Sequence, residues 1–231
     1  MWRSAKQVAA ILAAAVLLMS LAVWRVGQYV PAAAVSESDR PHILIDPGHG
    51  GEDGGTMAKN GTLEKDINLA ISLVLVDWLR LCGYEVRMTR DSDISIHDSD
   101  ASTIREKKNS DLHNRLALYE KAQLVIAIHE NHFSGTQYHG TQVFYSTNSP
   151  ASQPLAASIR ESVRTLLQPD NTRELKKGDK SVYLLYKSTV PTVLVECGFL
   201  SNTEERTKLE TPAYQQQMAF AVGLGIVHYG G

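Results

Sequence analysis

Apolar residues follow two different spacings along this chain, and the two spacings alternate. Residues 43–45, 124–128 and 193–195 are uninterrupted apolar runs, the last of them in a predicted strand that starts at Thr192, and such runs are typical of strands buried on both faces of a sheet. Apolar residues repeat at helical spacing in four other stretches, which predict helices that begin at Glu64 and after Ser110 and that cover residues 154–167 and 212–229. Strands that alternate with helices predict an α/β sheet covered by helices on both faces.

Shorter segments between these elements have weaker patterns. Residues 84–89 and 141–146 are predicted strands, and residues 183–186 are a short strand candidate. Residues 90–109 are polar and charged, and they predict an exposed loop. Ser110 is the expected N-cap of the helix that follows this loop.

The first 40 residues differ in composition from the rest of the chain. Residues 1–7 carry Arg3 and Lys6, residues 8–26 form an almost unbroken apolar segment, and residues 27–40 have the composition of a linker. A positive flank before an apolar segment favours a cytoplasmic N-terminus and export of the remainder. We therefore expect a membrane anchor or a cleaved signal peptide, with the anchor favoured, and an exported folded domain over residues 41–231.

Composition and charge narrow the class of protein. The 231 residues suffice for one α/β domain plus the N-terminal segment, and a hydrophobic fraction of 43% is ordinary for a globular protein. A formal net charge of −2 gives no electrostatic argument for nucleic-acid binding. Cys82 and Cys197 are too few for a disulfide framework, and we expect both to be small buried side chains.

Each of the three apolar runs is followed by a polar side chain that packing does not require. His49 follows the first run across a glycine-rich turn, His129 follows the second, and Glu196 ends the third. Because such strands place their sites beyond their carboxyl ends, we expect these side chains to lie together, near Glu64 at the start of the neighbouring helix. Two imidazoles and one carboxylate are the ligand set of a catalytic zinc, and a further carboxylate can transfer a proton. The spacing alone does not decide which carboxylate is the ligand.

Each residue also has an ordinary structural explanation. His49 could be a loop histidine, His129 could bond to backbone at a strand end, and Glu64 could interact with the helix dipole, which is worth up to ~1 kcal/mol. Glu196 is harder to explain in this way, because burial of an unpaired carboxylate is costly. His132 is a competing ligand, and no HExxH motif fixes the geometry.

Four short motifs occur in the same order as those of the zinc-dependent N-acetylmuramoyl-L-alanine amidases, and they resemble them. The motifs are Asp46-Pro47-Gly48-His49-Gly50-Gly51, Leu63-Glu64-Lys65-Asp66, Ile128-His129-Glu130-Asn131 and Val195-Glu196-Cys197-Gly198-Phe199-Leu200-Ser201-Asn202. The resemblance extends over about residues 41–229. It implies a single domain with a mixed, mostly parallel sheet of about six strands, one zinc ion on His49, Glu64 and His129, and Glu196 as general base and acid.

Within that family the chain is most similar to the compact sporulation amidases of the spore cortex, which have an N-terminal hydrophobic segment and no wall-binding repeats. The resemblance implies hydrolysis of the amide between N-acetylmuramic acid and L-alanine in cortex peptidoglycan, before a deacetylase converts the product to muramic δ-lactam. The substrate is then a glycan strand with its peptide stem. Some relatives need a lipoprotein partner, and no nucleic acid is expected.

Glu130 and Cys197 depart from the family pattern, which usually has a small or apolar residue at the first position and a glycine-like residue or valine at the second. Alternation along the strand is expected to turn Glu130 away from His129, although Glu130 remains a competing acid or base. Three other functions stay open. They are a zinc peptidase of the stem peptide, a non-catalytic wall-binding or activator domain, and a Cys197 nucleophile with His129 as its base.

Overall fold

The structure is a computed structural model that describes residues 42–230. The expected N-terminal region, membrane segment and linker, residues 1–40, lie outside the described residues. Within residues 42–230, no helix has both the length and the apolar character needed to cross a membrane. The fold described below is therefore that of the predicted folded domain.

Six strands form one sheet. They are β1 Ile43–Pro47, β2 Val86–Met88, β3 Leu124–Asn131, β4 Gln142–Tyr145, β5 Lys176–Lys177 and β6 Thr192–Phe199. The strand order is β2-β1-β3-β6-β4-β5, and only the β4–β6 pair is antiparallel among these neighbours. This arrangement confirms the predicted mixed, mostly parallel sheet.

The described residues also form six helices, which cover both faces of the sheet. They are α1 Glu64–Leu81, α2 Ile104–Tyr119, α3 Ser152–Leu166, α4 Tyr183–Lys187, α5 Thr203–Leu209 and α6 Pro212–Gly230. Apolar residues of α1, α3 and α6 pack in one large core with one face of the sheet. Residues of α2 and α4 pack in a smaller cluster with the other face. The single α/β domain is therefore confirmed.

The pairing of β3 with β6 decides which side chains share a face. Ile126 and Ile128 point into the large core, whereas Ala127 points to the opposite face. Because side chains alternate along a strand, His129 follows Ala127 onto that opposite face. The parallel register places Glu196 directly beside His129. Two of the predicted site residues are thus neighbours in the sheet.

The sequence prediction was wrong for residues 183–186, which belong to helix α4 and not to a strand. Leu184 and Leu185 are both buried. A strand would turn one of two consecutive residues away from the core, whereas a helix can direct both towards it. Helix α5 was not predicted either, because its seven residues are too few to show a clear helical spacing.

The predicted start of α2 was also wrong, because the helix begins at Ile104 and not after Ser110. Thr103 is the N-cap, and its side chain accepts a hydrogen bond from the Glu106 amide while the Glu106 carboxylate accepts one from the Thr103 amide. The first turns of this helix are polar and largely exposed. Their sequence therefore lacks the apolar spacing that marks a helix.

The two cysteines are both free thiols. Cys197 is buried as expected, but Cys82, the C-cap of α1, is only partly buried.

We predict that Thr103→Ala lowers the free energy of unfolding by about 1 kcal/mol, because it removes the N-cap of α2. For a domain of this size the melting temperature should fall by roughly 2–4 °C. Ser110→Ala is the comparison, because Ser110 lies inside the helix, where alanine is favoured, and this gain offsets the loss of its two 3.2 Å hydrogen bonds, accepted from the Asp98 amide and donated to the Lys107 carbonyl. Thermal unfolding followed by circular dichroism measures both variants, and an equal or larger loss for Ser110→Ala would contradict the capping assignment.

Candidate metal centre

The four predicted site residues meet at the carboxyl edge of the sheet. His49 lies in the turn after β1, His129 and Glu196 lie near the ends of β3 and β6, and Glu64 is the first residue of α1. The Nε2 atom of His49 lies 3.3 Å from Oε1 of Glu64. The Nδ1 atom of His129 lies 3.0 Å from the same oxygen.

Glu64 is buried at the centre of this group. Its Oε2 accepts a hydrogen bond of 2.8 Å from the Thr56 amide, and its Oε1 accepts one of 3.2 Å from the Glu130 amide. Burial opposes ionisation of this carboxyl group, but hydrogen bonds with His129 and His49 hold its pKa far below the usual range. Glu64 is therefore a charged acceptor pointed at two imidazoles, which is more than a helix-dipole role requires.

His49 is oriented by a second carboxylate. Its Nδ1 atom lies 3.0 Å from Oδ2 of Asp53. Burial disfavours the charged imidazole, but hydrogen bonds with Asp53 and then Glu64 raise the pKa of His49 to about 9. A carboxylate bonded to the far nitrogen of a metal-binding histidine fixes the orientation of the ring. Asp53 belongs to this candidate site by its contact with His49 and was missed in the sequence analysis, although its position four residues after His49 offered a signal.

Glu196 is partly buried beside His129. Its Oε2 atom is buried and has no hydrogen-bond partner among the described residues. Burial raises the pKa of Glu196 to about 7, an effect that the positive character of His129 partly opposes. The side chain lines an open cavity of about 410 Å³ that His49, Glu64 and His129 also line. A carboxyl group with a free oxygen in such a cavity is placed to exchange a proton with a bound molecule.

The residues present fit a metal ion. One ligand atom each from His49, Glu64 and His129 lie within 4.8 Å of one another, and this is the only such group found within residues 42–230. Two imidazole nitrogens and one carboxylate oxygen are the donor set of a catalytic zinc that keeps its fourth position open. His132 lines the same cavity but does not belong to the group. The structure therefore separates the two carboxylates, with Glu64 among the histidines and Glu196 beside them.

Comparison with known proteins decides the family. The sequence profile of the N-acetylmuramoyl-L-alanine amidases matches residues 43–228. The chain belongs to this family. It is 35% identical over 189 residues to the germination-specific N-acetylmuramoyl-L-alanine amidase of Bacillus subtilis. The alignment covers 81% of this chain and 78% of that relative.

Solved structures of the family have the same fold. The CwlD amidase from Clostridioides difficile, in complex with the GerS lipoprotein, superposes with a TM-score of 0.79 at 38% sequence identity. The superposition covers 82% of this chain and 98% of the CwlD chain. The amidase AmiC2 of Nostoc punctiforme gives a TM-score of 0.70 at 29% identity and covers 81% of this chain and 96% of its own. This enzyme is accordingly an N-acetylmuramoyl-L-alanine amidase that acts on peptidoglycan, as the four motifs predicted.

The geometry of the amidase excludes Cys197 as a nucleophile activated by His129. Cys197 follows Glu196 on β6, so alternation turns its thiol towards the large core, in which it is buried. Burial also raises the pKa of this thiol well above its usual range. Glu130 lies on the same side, because it follows Ile128 by two residues. The predicted rotation of Glu130 away from His129 is therefore supported by the packing of β3.

Part of the fourth motif has a structural role in this amidase. Asn202 is the N-cap of α5, and its side-chain oxygen accepts hydrogen bonds from the Glu204 and Glu205 amides. Its Nδ2 donates a 3.0 Å hydrogen bond to the Thr136 carbonyl. This contact ties the segment after β3 to the segment after β6.

Two glycines lie so close to the ligand group that a side chain would displace it. A Cβ atom at Gly55 would lie 2.7 Å from Oε2 of Glu64 and from the His49 ring, and a Cβ atom at Gly48 would lie 2.2 Å from the His129 ring. Gly55 has φ of 66°. Gly48 in the first motif and Gly55 four residues after the motif therefore leave room for the three candidate ligands.

We predict that Gly55→Ala weakens Zn²⁺ binding by about tenfold or more, because the added methyl group displaces Glu64 and His49. Gly61→Ala is a matched control, since Gly61 also has positive φ, at 91°, but a Cβ atom added there would have no neighbour within 4 Å among the described residues. Both variants should lose similar stability from backbone strain, roughly 1 kcal/mol. Competition with a chelator of known affinity measures binding, and equal affinities in the two variants would contradict the steric argument.

Proposed function

We propose that this chain is a zinc-dependent N-acetylmuramoyl-L-alanine amidase of the spore cortex, with zinc on His49, Glu64 and His129 and with Glu196 as the acid and base. The observation that carries the proposal is the convergence of three ligand atoms within 4.8 Å of one another. Glu196 supports it, because its carboxyl group lines the same cavity and keeps one buried oxygen, Oε2, without a partner among residues 42–230.

The chain's own residues divide the chemical work. When bound, zinc supplies a Lewis acid that polarises the amide carbonyl and acidifies a bound water. Glu196 takes a proton from the attacking water and passes it to the amine nitrogen as the bond between the lactyl carbonyl and L-alanine breaks. Asp53 holds the His49 ring through its Nδ1 atom, and the Thr56 and Glu130 amides hold the Glu64 carboxylate. These contacts keep the ligands in place throughout the reaction.

The cortex role is supported by two relatives. One is a germination-specific amidase, and the other is an amidase solved in complex with a lipoprotein. By this similarity, the exported amidase acts on cortex peptidoglycan. Its product is then converted to muramic δ-lactam by a deacetylase. A lipoprotein is the partner that fits this similarity. The apolar segment over residues 8–26 is then the signal or anchor that directs the folded domain, residues 41–231, out of the cytoplasm.

We predict that Glu196→Gln lowers kcat by about 10²–10⁴-fold, because the amide cannot accept the proton. The zinc content should stay unchanged, since Glu196 is not one of the three ligands. Glu130→Gln is the matched control, because it is a neighbouring buried carboxyl group on the opposite face of the sheet. The assay digests peptidoglycan and detects the free amine of L-alanine by mass spectrometry.

The opposite pattern, with Glu130→Gln inactive and Glu196→Gln active, would assign the acid and base to Glu130. Products with cuts inside the stem peptide and with an intact muramoyl–alanine bond would show a peptidase. Zinc that appears only after addition of a lipoprotein would show that the partner loads the metal.

We also predict that treatment with a chelator abolishes the activity and that Zn²⁺ restores it, whereas Cys197→Ala retains activity. The thiol lies on the opposite face of β6 from Glu196 and takes no part in the chemistry. Activity of the chelated enzyme, combined with inactivity of Cys197→Ala, would contradict the metal mechanism.

A further inference from the structure

The backbone of His49 has an uncommon conformation. Its φ angle is 62°, and it is the only residue other than glycine with positive φ among residues 42–230. Side chains with a Cβ atom rarely occupy this left-handed region, and such residues cluster at functional sites where the surrounding structure holds them. The structure therefore needs contacts that stabilise the turn at this ligand.

Two buried arginines supply contacts to the peptide groups on both sides of His49. The Nη2 atom of Arg90 donates a 2.9 Å hydrogen bond to the Gly48 carbonyl, which belongs to the peptide group before His49. The Nη2 atom of Arg115 donates a 2.7 Å hydrogen bond to the His49 carbonyl, which belongs to the peptide group after it. Both guanidinium groups also donate to the Pro47 carbonyl, at 3.0 Å each. Fixing both peptide groups fixes φ and ψ of His49.

Each arginine of this pair is itself held by further contacts. Arg115 forms a buried ion pair with Asp46, and its Nε donates a 2.6 Å hydrogen bond to Asp111. Arg90 donates to two more backbone carbonyls, those of Lys65 at 2.9 Å and Ser92 at 3.0 Å. The planar guanidinium group of arginine has several donors at fixed angles, which a lysine ammonium group cannot reproduce. The pair therefore connects β1, α1 and α2 through the turn that carries His49.

We propose that Arg90 and Arg115 are positioning residues that hold His49 in its left-handed conformation and so set the affinity of the metal centre. This inference rests on the proposed role of His49 as a metal ligand. The two arginines contact the backbone of His49 and not its imidazole, since they bond to the carbonyl groups on both sides of the His49 Cα atom. They act on the metal only by fixing the direction in which the His49 side chain projects from the backbone.

The test compares Arg115→Lys and Arg90→Lys with Tyr119→Phe in the full-length chain. Each lysine keeps a positive charge but loses the donor to the peptide group beside His49, so the Zn²⁺ dissociation constant should rise about 10–100-fold. Tyr119→Phe is the control, because the Tyr119 hydroxyl donates to Asp46 in the same buried network without contacting the turn. It should lower the melting temperature and leave the dissociation constant within about threefold of the unmutated value, well short of the 10–100-fold rise.

A double-mutant cycle separates positioning from general destabilisation. In a His49→Ala background, Arg115→Lys should not weaken the residual Zn²⁺ affinity further, since the residue that it positions no longer binds metal. The absorption spectrum of bound Co²⁺ should change in the lysine variants and stay unchanged in Tyr119→Phe. Arg90→Lys keeps the test decisive if Arg115→Lys fails to fold, because Arg90 bonds to carbonyls and leaves no buried carboxylate unpaired.

The outcomes distinguish this inference from the proposed function. Lysine variants that bind Zn²⁺ as tightly as the unmutated chain, or a Tyr119→Phe variant that loses affinity to the same extent, would overturn the positioning role. A Zn²⁺ dissociation constant that is the same in His49→Ala as in the unmutated chain would overturn the ligand set and the positioning role together. Weakened binding in both lysine variants, absent in the His49→Ala background, would support both.

Discussion

The candidate metal centre depends on the parallel register of β1, β3 and β6. Pro47 pairs with Ile128 and His129 pairs with Glu196, so the turn after β1 and the ends of β3 and β6 meet at one edge. A slip of one residue in this pairing would turn His129 to the opposite face of the sheet. The buried apolar side chains of these strands oppose such a slip, because it would exchange the side chains that pack in the cores on the two faces of the sheet. The chemistry of the site is thus a consequence of core packing.

A second constraint acts beneath the site. Asp46 and Arg115 are both buried, and Thr89 and Tyr119 also donate hydrogen bonds to the Asp46 carboxylate. Burial opposes ionisation of Asp46, but the charge of Arg115 lowers its pKa below the ordinary value. Removal of one partner from a buried ion pair is strongly destabilising, because the other charge is left uncompensated. Within this network Arg115 is the residue that also bonds to the His49 carbonyl, so it contributes both to the buried ion pair and to the turn at His49.

Much of this arrangement could be predicted from the sequence, and the failures have physical causes. His49, His129 and Glu196 were identifiable because a polar residue after a buried apolar strand needs a reason to be there. Glu64 was assigned as a ligand only by resemblance, since one carboxylate at a helix start looks like any other. Arg90 and Arg115 were missed because arginines in a polar stretch usually face water, and their burial depends on contacts with a strand more than 40 residues away. Spacing along a chain does not encode such contacts.

The two departures from the family pattern illustrate how a sheet separates packing from chemistry. Glu130 and Cys197 each follow a site residue, and alternation places both on the face that carries the large core. Burial, together with the nearby charges of Glu64 and Glu196, raises the pKa of Glu130 well above its usual value. Burial therefore favours the neutral form of this carboxyl group, which a core accepts more readily than a charge. Because Glu130 bonds to Glu64 through its backbone amide, the side chain at this position can change while the contact to the ligand remains.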